Sequence, residues 1–277
     1  MLSATKNLVT YGASTSKYVL AFRDIKNGVM SSNIWLSYGW MDILQRYRRA
    51  VIGPFWITLS MLIMVSAMGI LYAGIFRINP YVYLPYLACG MVCWTFVQSC
   101  IAESTSVFVS SEGLIKYGGI PYTTHAMRLL YRNYIVFAHN ILVIILIYIW
   151  QPSMLNMNIF YLIPSTLLVT ATLFMICLIF GTICVRFRDF AQIITSSLQI
   201  LFFISPIMYK IDAVPPKLMF VAQFNPVYYV VEAFRAPLLG EPVGMNIYLG
   251  LIFILICSSI AAFFIFTRLR HRIVFWL

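Results

Sequence analysis

Charge is scarce in this chain, and negative charge is scarcer still. Of 277 residues only 10% are charged and only 8 are Asp or Glu, while 62% are hydrophobic. Soluble domains carry about a quarter charged residues and nearer half apolar ones. A soluble enzyme of this length would lack the polar surface to cover so much apolar matter, and a disordered chain needs the opposite composition. Cysteine is too sparse for a secreted disulfide scaffold. The six (Cys89, Cys93, Cys100, Cys177, Cys184, Cys257) all lie within or at the ends of apolar runs. Cys89 and Cys93 share a helix face, but no His or carboxylate stands near to complete a metal site, so the cysteines read as small packing residues. What remains is a helical protein that crosses a membrane several times.

Catalytic motifs are missing too. The three histidines (His125, His139, His271) are scattered, and no HExxH, GxSxG or paired-carboxylate pattern occurs. There is no GxxxxGK[ST] phosphate loop, so the chain is expected to bind no cofactor of its own. Any ATP and Mg²⁺ would have to be held by another polypeptide. Asp24, Asp42, Glu103, Glu112 and Asp189 fall in expected cytoplasmic parts, and Asp212, Glu232 and Glu241 outside. An ion-coupled carrier usually needs a carboxylate within the membrane and often an inverted repeat. Neither is visible. The first thirty residues carry Lys6, Lys17, Arg23 and Lys26 and no apolar h-region, so no cleaved signal peptide is expected.

A membrane span needs about 20 mostly apolar residues. Six segments qualify, at about 52–76, 82–102, 129–150, 159–185, 190–208 and 247–267. The third contains Arg132, His139 and Asn140, and the fifth Gln192, Thr195, Ser196, Ser197 and Gln199. Polar residues within a span usually face protein or a water-filled path. Lys and Arg fix the orientation. Fifteen lie in the terminal and even connections and four in the others, among 19 in all. Both termini are therefore expected in the cytoplasm. The net charge of +11 reads as topology and lipid headgroups rather than nucleic acid, because it lies between apolar runs.

Three connections are more than loops. In Ser31 to Arg49, the residues Trp35, Leu36, Trp40, Ile43, Leu44 and Tyr47 recur at helical spacing among Arg46, Arg48 and Arg49. That is either a basic amphipathic helix lying in the inner-leaflet interface or a plain positive flank. Glu103 to Pro121 sets Val107, Phe108, Leu114 and Ile115 among Ser, Glu and Lys, and ends in Gly118-Gly119 and Pro121. One short amphipathic helix is expected there, facing a partner protein or the membrane surface. Ser205 to Gly244 holds six of the twelve prolines, yet 218–221 and 227–234 are apolar. Short broken helices dipping back into the outer leaflet satisfy both facts, either lining the mouth of a pathway or merely capping it. Of the abundant aromatics, Trp56, Tyr72, Phe76, Tyr81, Tyr83, Tyr86, Trp94, Tyr148 and Trp150 cluster at span ends. They form interfacial belts or stack on sugar rings.

RYRRAVIGPFW (Arg46 to Trp56), RFRDF (Arg186 to Phe190), SPIMY (Ser205 to Tyr209) and NPVYYVVEAFR (Asn225 to Arg235), in this order and topology, resemble the membrane subunits of type-2 ABC exporters. Within that family the likeness is to permeases for O-antigen polysaccharide, with relatives for capsule and teichoic acid. It covers roughly residues 33 to 270. The resemblance implies an all-α membrane protein with six transmembrane helices and an N-terminal amphipathic interface helix at 33–49. It also implies a short cytoplasmic coupling helix and broken re-entrant helices before the last span. Residues 1–30 would be a cytoplasmic extension, 31–277 the transmembrane domain and 209–244 a periplasmic gate region.

The subunit would work as a homodimer with two copies of a separate ABC ATPase in the bacterial inner membrane. It would serve lipopolysaccharide biosynthesis by moving undecaprenyl-diphosphate-linked polysaccharide outward among membrane lipids. Arg46, Arg48, Arg49, Ile52 and Gly53 would admit the lipid diphosphate, with Ile52-Gly53 standing where relatives have Leu-Gly. Glu103, Phe108, Glu112 and Lys116 would couple to the ATPase. Pro215, Pro216, Asn225, Pro226, Tyr228, Tyr229, Glu232 and Arg235 would form the external gate. A drug or small-lipid exporter on the same fold, a membrane-embedded transferase and a passive channel are the other readings.

Overall fold

The computed structural model describes residues 16–48, 52–53, 55–211, 215–217 and 219–277. Arg49, Asp212 and Leu218, and the first fifteen residues of the expected extension, lie outside the described residues. The described chain is helical, with no strand among the described residues. In order it runs α1 (Lys17–Met30), α2 (Ser32–Tyr47), α3 (Phe55–Phe76), α4 (Pro80–Ser104), α5 (Glu112–Tyr117), α6 (Tyr122–Trp150) and α7 (Leu162–Arg186). Then follow α8 (Phe190–Ile204), α9 (Met219–Gln223), α10 (Pro226–Leu238), α11 (Met245–Leu269) and α12 (Ile273–Trp276).

Among the described residues five helices, not six, are long and apolar enough to cross a membrane: α3, α4, α6, the 157–186 unit containing α7, and the 245–276 unit containing α11. The expected fifth span is only the 15-residue α8. At 1.5 Å per residue it reaches about 22 Å, short of the roughly 30 Å hydrocarbon core. Ser205-Pro206 ends it, and the chain turns back through α9 and α10 before α11. The third span is longer than expected, starting at Tyr122 rather than Leu129. Thr123, Thr124 and His125 read as loop residues, but they are buried because α1 and α2 pack over that end of α6.

The central element is α4, which packs on α3, α6, α7, α8 and α10. Lipid tails are as apolar as leucine, so spans associate through close packing rather than the hydrophobic effect. Small buried residues along α4 (Ala88, Cys89, Cys93, Cys100) permit that approach. Pro85 inside α4 cannot donate to the Tyr81 carbonyl one turn back. The Gln151 side-chain amide donates to that carbonyl at 2.6 Å instead, which keeps the helix continuous.

Helices α3 and α8 lie at the edge, with much of their surface uncovered. The aromatics divide into two groups. Trp56, Phe76, Tyr81 and Trp150 are exposed near span ends, as a belt requires. Tyr83 and Tyr86 are instead buried. Their hydroxyls, and that of the partly covered Tyr148, bond the backbone carbonyls of Met208, Tyr209 and Leu238.

Candidate functional site

Around the C-terminal end of α4 the geometry is built by two helices with charges one turn apart. Helix α2 carries Asp42 and Arg46, and α6 carries Arg128 and Arg132. Arg128 grips Asp42 through Nε at 2.8 Å and Nη2 at 2.5 Å. Arg132 donates to Asp42 at 3.1 Å and to Glu103 of α4 at 2.6 Å, and Asn133 donates to Glu103 at 2.8 Å. Arg46 closes the chain, donating to Glu103 at 3.2 Å. Burial alone would raise the Asp42 carboxyl, but the Arg128 and Arg132 guanidiniums outweigh it and hold the group below its ordinary range. Burial works against the Arg46 charge, and the Glu103 carboxylate more than offsets it, raising that guanidinium's pKa.

The residues expected to admit a lipid diphosphate are thus placed unequally. Arg46 is half-exposed and ion-paired, while Arg48 and Ile52 are exposed. Gly53 holds a left-handed φ of 59° with open space where a Cβ would stand, and Arg49 lies outside the described residues. Helix α2 buries Gly39 and Ile43 and turns Leu36, Trp40, Met41 and Leu44 outward, an apolar strip suited to a leaflet surface.

The stretch expected as one coupling helix is broken into pieces. Helix α4 runs on through Glu103 to Ser104, a turn follows, Val109–Ser111 forms a 3₁₀ turn, and only then does α5 begin. The Ser104, Thr105, Ser106 and Ser110 hydroxyls each donate to the carbonyl three residues back, a local alternative to helix continuation. Glu103 therefore faces Arg46 and Arg132, and Phe108 is fully buried. Phe108 lies against Tyr122, with ring centroids 6.0 Å apart. Glu112 and Lys116 remain on the surface and pair with each other across one turn at 2.5 Å. The hydrogen bond from Lys116, with its charge, lowers the Glu112 pKa. Tyr117 beside them is 93% exposed. The RFRDF loop borders a cavity of 510 Å³ with Trp276, and the Arg186 guanidinium lies 5.0 Å from that indole.

At the opposite end of α4, the non-helical backbone after α8 is satisfied by side chains, as buried backbone polar groups must be. Tyr83 donates to the Met208 carbonyl at 2.7 Å and Tyr86 to that of Tyr209 at 2.9 Å. Arg235, 2% exposed, donates to the Pro206 carbonyl at 2.6 Å and lies 4.2 Å from the Tyr86 ring. Its Nε donates to Glu232 at 2.9 Å. Asn225 caps α10 by accepting from the Val227 N–H, and its amide donates to the Ser205 hydroxyl at 2.7 Å. Pro226 opens α10, and Tyr229 donates to the Gln223 carbonyl. The Tyr228 and Tyr229 rings meet at 5.3 Å, while Pro215 and Pro216 lie exposed, away from the rest.

A family model described as ABC-2 type transporter matches residues 35–239. This chain belongs to the ABC-2 type transporter family. The matched residues run from within α2 to just past α10, and so take in the ion-pair network around Glu103, the 103–121 stretch and the brace around Arg235. Two proteins of Klebsiella pneumoniae, each called O-antigen export system permease protein RfbA, are 21% and 22% identical to this ABC-2 chain over 234 and 236 residues. Each alignment covers 83% of this chain and 90% of the relative. The ABC-2 chain is a multi-pass permease of a type-2 ABC exporter, a component that partners an ABC ATPase.

Sequence reasoning missed Arg128, Asp42 and Tyr86 as site residues. Asp42 lay on the expected amphipathic helix, but its pairing with Arg128 spans 86 residues and had no local signal.

Proposed function

We propose that this permease works as a homodimer with two ATPase subunits in the bacterial inner membrane. Its cargo is undecaprenyl-diphosphate-linked polysaccharide, moved from the cytoplasmic to the external face. The supporting observation is the uncovered wall that α8 presents beside the buried α4. Helix α8 turns Gln192, Thr195, Ser196 and Gln199 outward, one face at helical spacing in an otherwise apolar element. Gln98, Thr95, Gln199, Trp94, Phe202 and Phe203 border a recess of 210 Å³ there. Amides and hydroxyls beside aromatic rings suit sugar hydroxyls and the apolar faces of sugar rings. A second copy set against this wall would enclose the path.

Under this reading residues 31–277 form the transmembrane domain, with both termini cytoplasmic. The ATPase docks on the surface of Glu112, Lys116 and Tyr117 beside the RFRDF cavity, while Glu103 and Phe108 carry its movement inward. Arg48, with Ile52-Gly53, meets the lipid diphosphate, since guanidinium matches phosphate oxygens. The brace around Arg235 forms the external gate.

Purification in mild detergent after crosslinking, with mass spectrometry of bound partners and lipids, tests this. A stoichiometric ATPase and a retained glycolipid support it. An ATPase with no polymer cargo, together with ATP-driven movement of a small lipid in vesicles, would favour the alternative. That alternative, a drug or small-lipid exporter, has one feature behind it. A recess of 350 Å³ among Leu173, Ile176, Ile194, Leu198, Leu201 and Val230 is almost wholly apolar.

A further inference from the structure

Asp24 lies in α1, before the matched residues 35–239, and no step above uses it. Its carboxylate is 1% exposed, yet it serves two other elements at once. Oδ1 accepts from the Thr123 backbone N–H at 3.1 Å and from the Thr123 hydroxyl at 3.0 Å. Oδ2 accepts from the Tyr122 N–H at 3.4 Å and from Arg270 Nε and Nη2 at 2.9 and 2.8 Å. The Asp24 carbonyl takes the Thr123 hydroxyl at 2.7 Å.

Tyr122 and Thr123 open α6, whose preceding Pro121 offers no side-chain cap. Asp24 therefore caps α6 from another helix, placing a negative charge where the helix dipole favours one. Arg270 directly follows α11. Gly28 sets how closely α1 lies. A Cβ there would stand 1.9 Å from Thr123 Oγ1 and 2.8 Å from the Thr124 nitrogen.

The coupling stretch meets the same junction. The Tyr122 ring touches Phe108 at 6.0 Å and Phe266 of α11 at 6.5 Å, with the Arg270 guanidinium 5.3 Å away. A helix that merely rested on a leaflet would have no cause to bury a carboxylate, because a buried charge is costly unless fully paired.

We propose that α1 is a transmission strap and Asp24 its positioning residue. The strap makes the first turn of α6 and the cytoplasmic end of α11 one body, so that movement of the 105–121 stretch reaches both spans together. This rests on the exporter reading above.

The test uses the permease–ATPase complex in lipid nanodiscs, with the exposed Cys257 changed to Ser. Spin labels are placed in separate preparations at Ser106→Cys, an exposed position in the coupling stretch outside the docking surface, and Met245→Cys, at the far end of α11. Dipolar spectroscopy reads the distance between the two copies with and without a non-hydrolysable Mg-ATP analogue. In the otherwise unchanged complex both distances should shift. In Asp24→Asn the shift at 106 should persist while at least half of that at 245 disappears, with ATPase assembly and hydrolysis retained.

Arg270→Gln leaves the bonds from Asp24 to α6 in place and should give the same loss at 245. It decides the matter if Asp24→Asn does not assemble. A full shift at 245 in these variants, or loss of both shifts with assembly intact, overturns the strap. Absence of any nucleotide-driven shift in the unchanged complex overturns the exporter reading, and the strap with it.

Discussion

Replacing Arg235 by Met should be among the most damaging single changes around α10, and the structure sets its size. The guanidinium is 2% exposed and holds three things together: the Glu232 carboxylate, the Pro206 carbonyl at 2.6 Å and the Tyr86 ring at 4.2 Å. Removing one partner of a buried pair costs about 3–5 kcal/mol, most of it for the charge left behind. The Glu232 side chain is 22% exposed, so water relieves part of that penalty and the lower end, about 3 kcal/mol, applies. At about 3 °C per kcal/mol this is a fall of roughly 9 °C in Tm. The double variant Glu232→Gln, Arg235→Met strands no charge. It should lose only the bond to the Pro206 carbonyl and the contact with the Tyr86 ring, about 2 kcal/mol together and about 6 °C. Size-exclusion chromatography of detergent extracts after graded heating reads both. The reasoning fails if Arg235→Met melts within about 2 °C of the parent, or if the double variant is no better than the single one.

Tyr83→Phe and Tyr86→Phe each remove a hydroxyl from a backbone carbonyl after α8. Each should lower Tm by about 3 °C, for about 1 kcal/mol, in the same heating assay. Asp42 has a depressed pKa, so its pairing contributes stability above the ordinary value of 3.8 and loses it as pH falls through the lower folded value. Emission from Trp35 and Trp40 should therefore stay constant from pH 8 to about 5 and change only below about 4, and Asp42→Asn should abolish that acid step. Gly181→Val puts a Cβ 2.6 Å from Val107 Cγ1 and 3.1 Å from the Phe108 ring. It should push the coupling stretch outward, with export falling at least tenfold (about 1.4 kcal/mol) while membrane insertion, followed by immunoblot, is kept.

Most of the spans were legible because a 20-residue apolar run leaves few alternatives. The bounds of α3, α4, α7 and α11 differ from the expected ones by about three residues or fewer. The start of α6 was not legible: Tyr122 to Arg128 is polar, and what makes it helical and buried is its cover of α1 and α2. The end of α8 was misread for the opposite reason. Ile207 and Met208 continue the apolar run, but their burial comes from protein around a turned chain rather than from a span. The start of α10 was legible from residue type alone. Asn225 and Pro226 start a helix in any setting. Partners were not legible, because Arg46 meets Glu103 across 57 residues and Arg235 meets Tyr86 across a larger gap.

That Arg46–Glu103 contact changes how the two cytoplasmic roles relate. Read along the chain, the basic stretch before α3 and the acidic start of the coupling stretch belong to different tasks. In the fold they are 3.2 Å apart, and Glu103 also holds Arg132 and Asn133 of α6. Three guanidiniums share two carboxylates in this chain of contacts, leaving one positive charge in excess, and Arg46 is its most exposed member. An anion arriving beside Gly53 would compete with Glu103 for Arg46. Any movement of Glu103 with the coupling stretch would in turn alter how freely Arg46 can be taken. Under the proposed function, lipid admission and ATPase coupling would thus be chemically linked through one carboxylate, without a long relay between distant sites.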